Sequence, residues 1–198
     1  FHSDSMKYSE MAKDIIQLID FLKIEKVNIV GHSMGGKIGM AFSHIYKNRI
    51  KKQIIIDIAP KKYPNYHQSI IQALMQINVN QFKTRSEVVH ALEDKIPDYS
   101  LRQFLVKNLN PKPLQWNINL KAISESYGEI MSWPFPETDK NNIPSLFIVG
   151  QKSNYIDNND EHLIKRRYSK ADLFSVDASH WVHAEQPNLV IDLIKQFI

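Results

Sequence analysis

The 198-residue chain contains no cysteine. That removes disulfides, thiolate nucleophiles and cysteine-ligated zinc together, and it fits a reducing, cytoplasmic setting. Long hydrophobic runs are missing too. No uninterrupted apolar stretch approaches the ~18–20 residues of a membrane-spanning helix, and no cationic start followed by an apolar stretch marks a secretory leader. An excess of one charge is also lacking. Twenty-five basic residues face 21 acidic ones for a net charge of +4, and the basic residues are scattered apart from Lys51-Lys52 and Lys165-Arg166-Arg167. No nucleic-acid partner is expected from that pattern. Glycine is scarce as well, with six in all, and four of them (Gly31, Gly35, Gly36, Gly39) fall within nine residues.

That concentration of glycine marks one bend. Gly31-His32-Ser33-Met34-Gly35-Gly36 follows the apolar run Val27–Val30 and precedes a stretch with helical spacing. A Gly-x-Ser-x-Gly segment in that context reads as a nucleophile elbow, a strand turning sharply into a helix with the serine hydroxyl at the tip. Glycines are expected where the two backbones crowd and leave no room for a Cβ.

The periodicity around the elbow alternates between strand and helix. Met11, Ile15, Leu18, Ile19 and Leu22 predict an amphipathic helix over about 9–22. Val27–Val30 reads as a buried strand, Lys37–Tyr46 as a helix, and Gln53–Asp57 as a second strand ending in a carboxylate. From Pro60 to about Asn142 the rhythm changes to helix-like segments (Gln68–Ile77, Ser86–Leu92, Leu101–Leu109) punctuated by prolines, with no convincing core strand. Strand and helix then return: Ser145–Gly150, a helix near Asp160–Tyr168, a strand at Asp172–Asp177 and a closing helix over Pro187–Ile198. Continuous apolar strands separated by helices predict a mostly parallel sheet covered on both faces. The expected organisation is an α/β core formed by residues 1–60 and 141–198, with residues 61–140 inserted as a helical lid over the strand ends, where open α/β sheets bind ligands.

A serine hydroxyl needs a base to take its proton as it attacks, and the base needs a carboxylate to hold its tautomer. His180, in the loop between the last strand and the last helix, is the favoured base, with His183 as its rival. His32 lies inside the elbow and reads as a supporting residue, while His2, His44, His67, His90 and His162 read as structural. For the acid, Asp57 is favoured because it is committed to a strand tip between Ile56 and Ile58, where a charge needs a partner. Asp157, in the loop after Gly150, is the alternative, also readable as a surface residue or helix cap. Ser153, nearer that strand's end, reads as a supporting hydrogen-bonder.

With these segments in place the chain resembles the α/β-hydrolase superfamily, and within it the bacterial YbfF-type esterases and their eukaryotic relatives. The segments GHSMGGK (31–37), DIAP (57–60) with Tyr63, Trp116-x-x-Asn119, Ser153-Asn154-Tyr155 and HWVHAE (180–185) with Pro187 carry the resemblance. It implies a triad of Ser33, Asp57 and His180. One departure is Ser179, where such proteins usually have glycine. A second is at the start: the resemblance implies roughly fifty or more further residues, in line with three or four strands and their connections. The expectation is therefore an α/β-hydrolase fold whose N-terminal strands are missing. The backbone N–H of Met34 would give one oxyanion donor, the second being missing from the chain.

The expected function is a serine esterase or thioesterase acting on small or medium acyl esters, acyl-CoA included, with no metal and no cofactor. Aspartate-dependent dehalogenases and epoxide hydrolases are excluded by Ser33, whereas cofactor-free haloperoxidases and C–C hydrolases share the same residues. The alternative is a non-catalytic remnant that binds a ligand or partner.

Overall fold

A computed structural model of the protein describes residues 4–198. His2 lies outside the described residues. The described residues divide into two compact units, one formed by residues 4–6 and 63–132 and the other by 7–62 and 133–198.

The second unit is built on a four-stranded parallel sheet. Its strands are β1 (Val27–His32), β2 (Ile50–Ile56), β5 (Ser145–Gly150) and β6 (Ala171–Val176), in the order β1-β2-β5-β6. β1 runs along β2 from Val27↔Ile50 to His32↔Ile56, β2 along β5 from Gln53↔Ser145 to Ile56↔Ile148, and β5 along β6 from Ser145↔Ala171 to Gly150↔Val176. The central strand β5 is buried at every position, and β2 is buried through its C-terminal half, which is why these segments read as apolar runs. β1 and β6 alternate half-buried and exposed positions over their first four residues, as strands at the margins of a sheet do, so Val27–Val30 is not the buried strand its apolar run suggested. The mostly parallel α/β architecture expected from the sequence is the one present.

Helices α1 (Tyr8–Phe21), α2 (Met34–Ile45), α8 (Asn158–Arg167), α9 (Val182–Glu185) and α10 (Pro187–Phe197) complete this unit. α2 is buried almost all round, from Gly36 to His44, because it follows directly from the sheet. α1 differs from its predicted face. The buried stripe is Tyr8, Ala12, Ile16 and Ile19, whereas Leu18 and Leu22, assigned to that face by spacing, are open to solvent. The small Ala12 side chain belongs to the cluster with Phe42 of α2, so close helix approach decided the face against raw hydrophobicity.

The first unit carries α3 (Gln68–Gln76), α4 (Arg85–Ala91), α5 (Tyr99–Val106), α6 (Leu120–Glu125) and α7 (Tyr127–Met131) around a core that includes Leu74, Val88, Leu92, Val106 and Leu109. It also holds two strands that periodicity did not reveal, β3 (Leu109–Pro111) and β4 (Leu114–Trp116), paired antiparallel across a cis Lys112–Pro113 peptide. The predicted helix over 101–109 therefore ends at Val106. Three-residue strands are too short to show an alternation, and prolines sit comfortably at such edges.

Burial governs two outcomes. Phe147 is fully buried at the centre of β5, 5.4 Å ring to ring from Tyr168; Phe147→Ala should cost roughly 3–5 kcal/mol in urea unfolding. Lys37 of α2 is only 2% exposed, with its ammonium 5.5 Å from the centre of the Tyr8 ring. Burial pulls its pKa from the ordinary 10.5 down to about 7. Between those values the unfolded chain binds the proton that the folded chain has released, so this lysine makes unfolding free energy rise with pH. This contribution should therefore make stability climb from about pH 7 to 10.5, and Lys37→Met should flatten the climb in that window; an unchanged slope would refute the assignment.

Candidate active site

Two non-glycine residues at adjacent strand ends adopt left-handed backbone angles. Ser33, one residue past β1, has φ 54° and ψ −122°, and Asp57, one residue past β2, has φ 51°. Each is held by extending the sheet's own ladder. The Ser33 N–H donates to the Ile56 carbonyl at 3.0 Å, and the Asp57 N–H to the Ile148 carbonyl at 2.8 Å. Strand ends in a parallel sheet are thus turned outward together, and the two side chains emerge on the same edge.

At two of its positions the elbow leaves no room for a Cβ, as expected. A Cβ on Gly31 would lie 2.3 Å from the Gly35 carbonyl oxygen, and one on Gly36 would lie 2.6 Å from an Ile58 methyl. Gly35 is different: a Cβ there meets nothing within 4 Å, and no described glycine has positive φ. Backbone crowding therefore accounts for Gly31, and packing chiefly against the Ile58 side chain for Gly36, but neither accounts for Gly35, and the positive φ of the turn falls on Ser33 instead.

Asp57 is fully buried and surrounded by donors. Its Oδ1 accepts the Gly150 N–H at 2.9 Å, and its Oδ2 accepts both the Ser153 hydroxyl and Nδ1–H of His180, the latter at 2.8 Å. His180 Nε2 lies 3.0 Å from Ser33 Oγ. With Nδ1 donating to a carboxylate, Nε2 is the unprotonated nitrogen and can accept the Ser33 proton. The His180 side chain is 18% exposed against none for Asp57, so the carboxylate is sealed off while the imidazole keeps one edge open.

His32 braces this arrangement. Its Nε2 donates to the His180 backbone carbonyl at 2.8 Å, and its ring packs 4.6 Å from that of His180 and 4.5 Å from that of His183. Burial lowers the His32 pKa, with the hydrogen bond to the carbonyl opposing it, which suits a neutral hydrogen-bonding ring. Met34 opens α2 at the elbow, so its N–H belongs to the first helical turn, whose donors lack intrahelical acceptors.

The rival candidates sit elsewhere. Asp157 caps α8, accepting the Asp160 N–H at 3.0 Å in a reciprocal capping box, and the hydrogen bonds of that box lower its pKa. His183 is exposed on α9 and meets the site through His32 and Trp181. His44 is buried between Asp139 (2.8 Å) and the Tyr168 hydroxyl (3.2 Å), and His67 pairs with Tyr127. No group of three or more His, Cys, Asp or Glu residues among those described could hold a metal ion, and no described helix is long and apolar enough to cross a membrane.

Sequence reasoning missed three contributors. A Cβ on Gly150 would lie 2.5 Å from the Ser179 carbonyl oxygen, so glycine there lets the His180 loop pass. Glu185 accepts both the backbone N–H of Ser179 (3.0 Å) and its hydroxyl, and the Ser179 hydroxyl bond is the main cause of its lowered pKa. Tyr155 stacks on His180 at 3.8 Å between ring centres with a 12° tilt. Gly150 closes an apolar strand, which is a signal in itself, whereas Tyr155 and Glu185 lie in the Ser153-Asn154-Tyr155 and HWVHAE segments without the sequence giving either a role.

The family profile described as the alpha/beta hydrolase fold matches residues 2–95. The chain is 34% identical to zebrafish (Danio rerio) sn-1-specific diacylglycerol lipase ABHD11 over all of its own length and 64% of that protein's. It is 32% identical to Escherichia coli esterase YbfF, covering 98% of this chain and 75% of the relative. Among solved structures, a marine microorganism esterase superposes with a TM-score of 0.93 at 38% identity, over all of this chain and 79% of that one. The chain thus spans about two thirds to four fifths of these relatives. Sheet order, elbow and sequence likeness agree, and the chain belongs to the alpha/beta hydrolase fold family.

Proposed function

We propose that the protein is a serine hydrolase cleaving carboxylic esters, and acyl thioesters such as acyl-CoA by the same route, with small or medium acyl groups. The observation that carries the reading is the continuous hydrogen-bonded line from Ser33 Oγ through both nitrogens of His180 to Asp57 Oδ2. The relatives named as esterase and lipase support the ester class. The cysteine-free composition supports a cytoplasmic location.

In this mechanism Ser33 Oγ bonds to the acyl carbon as its proton passes to His180 Nε2. The carbonyl oxygen becomes an oxyanion facing the Met34 N–H. Collapse breaks the C–O or C–S bond, and the leaving alcohol or thiol takes the proton from His180. Water then gives a proton to His180 and attacks the acyl-Ser33 ester; release of the carboxylic acid returns the proton to Ser33. Asp57 holds the imidazole with Nδ1 protonated and stabilises the imidazolium that forms twice per cycle. No metal or organic cofactor has a part in these steps.

Reaction with a fluorophosphonate probe tests the nucleophile. The purified chain should label at one site, and Ser33→Ala should abolish labelling together with hydrolysis of nitrophenyl butyrate. A folded chain that does neither would instead support a non-catalytic, ligand-binding hydrolase remnant. The acid is tested by comparing amides. In Asp57→Asn the new N–H group must face one of three donors, so kcat should fall by about 10⁴-fold, the scale found when the orienting carboxylate of a serine triad is amidated. Asp157→Asn should leave turnover within about twofold and lower the stability of α8 by roughly 0.5 kcal/mol, since asparagine still caps; the reverse pattern would move the acid to Asp157.

A further inference from the structure

The Ser153-Asn154-Tyr155 turn touches both the acid and the base. Ser153 Oγ donates to Asp57 Oδ2 and accepts the Tyr155 N–H at 3.2 Å, while the Tyr155 ring lies on the face of the His180 imidazole. We propose that Tyr155 is a positioning residue whose aromatic face stabilises the His180 imidazolium and fixes the plane of the ring between Ser33 and Asp57. The proposal rests on the serine-hydrolase reading of this site.

Three features of the geometry carry it. The stack is close and nearly parallel, 3.8 Å and 12°, whereas the other aromatic neighbours of His180, His32 and Trp181, stand 4.6 and 5.8 Å away with tilts of 43° and 63°. Two in-plane hydrogen bonds, to Asp57 and Ser33, still allow the imidazole to swing about the line joining its nitrogens. An aromatic ring flat against one face closes that motion. Finally, the face of a phenol ring is electron-rich, and an imidazolium placed over it is attracted where a neutral imidazole gains less. Proton transfer from Ser33 creates that cation, so the contact strengthens as the transition state is approached.

The titratable groups around this ring are Asp57 at the end of β2, His32 at the end of β1, and His183 on α9 beyond His32. Asp57 favours the cation and the two histidines, when charged, oppose it.

The test replaces the ring and reads proton affinity as well as rate. Tyr155→Leu and Tyr155→Met remove the aromatic face while keeping an apolar side chain, and Tyr155→Phe restores the face without the hydroxyl. Cation–π contacts of this kind correspond to about a two- to fivefold change in equilibrium. Fluorophosphonate labelling and kcat should therefore fall by at least about twofold in the Leu and Met variants with KM little changed. The acidic limb of the rate profile should move about half a pH unit lower, because the base gives up its proton more readily. Tyr155→Phe should follow the parent protein. A side chain that merely fills space would change stability and leave the limb in place.

Proton NMR titration of the His180 ring reads the same preference without turnover. It therefore decides the role of Tyr155 even in a chain that fails to label, an outcome that would defeat the hydrolase reading separately. A titration midpoint and limb unmoved in folded Leu and Met variants, or moved equally in Tyr155→Phe, would overturn the proposal.

Discussion

The buried carboxylate of Asp57 is the constraint on which the rest of the site depends. A fully desolvated carboxylate costs several kcal/mol unless donors surround it. Here Gly150 N–H, the Ser153 hydroxyl and His180 Nδ1–H converge on its two oxygens. Those donors come from the ends of β5 and of the loop after it, and from the loop after β6. Satisfying one charge therefore gathers three separate segments at one sheet edge. The His180 ring is aimed at Ser33 by its bond to Asp57, on a loop whose backbone is held separately by His32 and Glu185.

The same edge stores backbone strain. Left-handed angles at two non-glycine residues cost of order 1–3 kcal/mol each, less for Asp57, since aspartate tolerates that region better than most. The ladder bonds from Ser33 to Ile56 and from Asp57 to Ile148 offset part of this, each contributing roughly 0.5–1.5 kcal/mol net. The remainder is met by the packing of β2 and β5, whose fully buried Ile54, Ile55, Phe147 and Ile148 cannot shift without opening the core. Rigid central strands are therefore a condition for holding the serine in a conformation that its local sequence does not favour.

What the sequence revealed follows from which features are local. The elbow was legible because tight packing, against backbone at Gly31 and against the Ile58 side chain at Gly36, calls for glycine, and that demand is written into neighbouring positions. The inner strands β2 and β5 were legible because burial on both faces leaves apolar runs, while the outer strands β1 and β6 were read from short apolar stretches although much of each is open to solvent. The β3–β4 hairpin was not, since three-residue strands beside prolines show no period. The face of α1 was misjudged because Leu18 and Leu22 satisfy a helical spacing that Tyr8, Ala12, Ile16 and Ile19 satisfy equally, and only packing against α2 chooses between them. Asp57 ends an apolar strand and Asp157 lies in the polar loop after another, and the difference between a buried carboxylate and a helix cap appears only when Gly150 and Asp160 are placed in space. Tyr155 could not have been found by spacing at all, because a ring stacked on another 25 residues away leaves no periodic trace.

Ser179 shows how such a site absorbs a departure from the usual pattern. A glycine before the base would leave the loop backbone free to adopt whatever angles the approach to Gly150 demands. A serine narrows that freedom, yet its own hydroxyl and N–H are both taken up by the carboxylate of Glu185. The loop is thus ordered by a side-chain clamp from α9 rather than by backbone permissiveness. That clamp lies one residue before His180, whose carbonyl is held by His32 and whose ring is held by Asp57 and covered by Tyr155. The backbone freedom that glycine would need to lose on ordering is already removed by serine in the unfolded chain. The substitution therefore fits a preorganised base, provided that Glu185 remains ionised and in place to receive it.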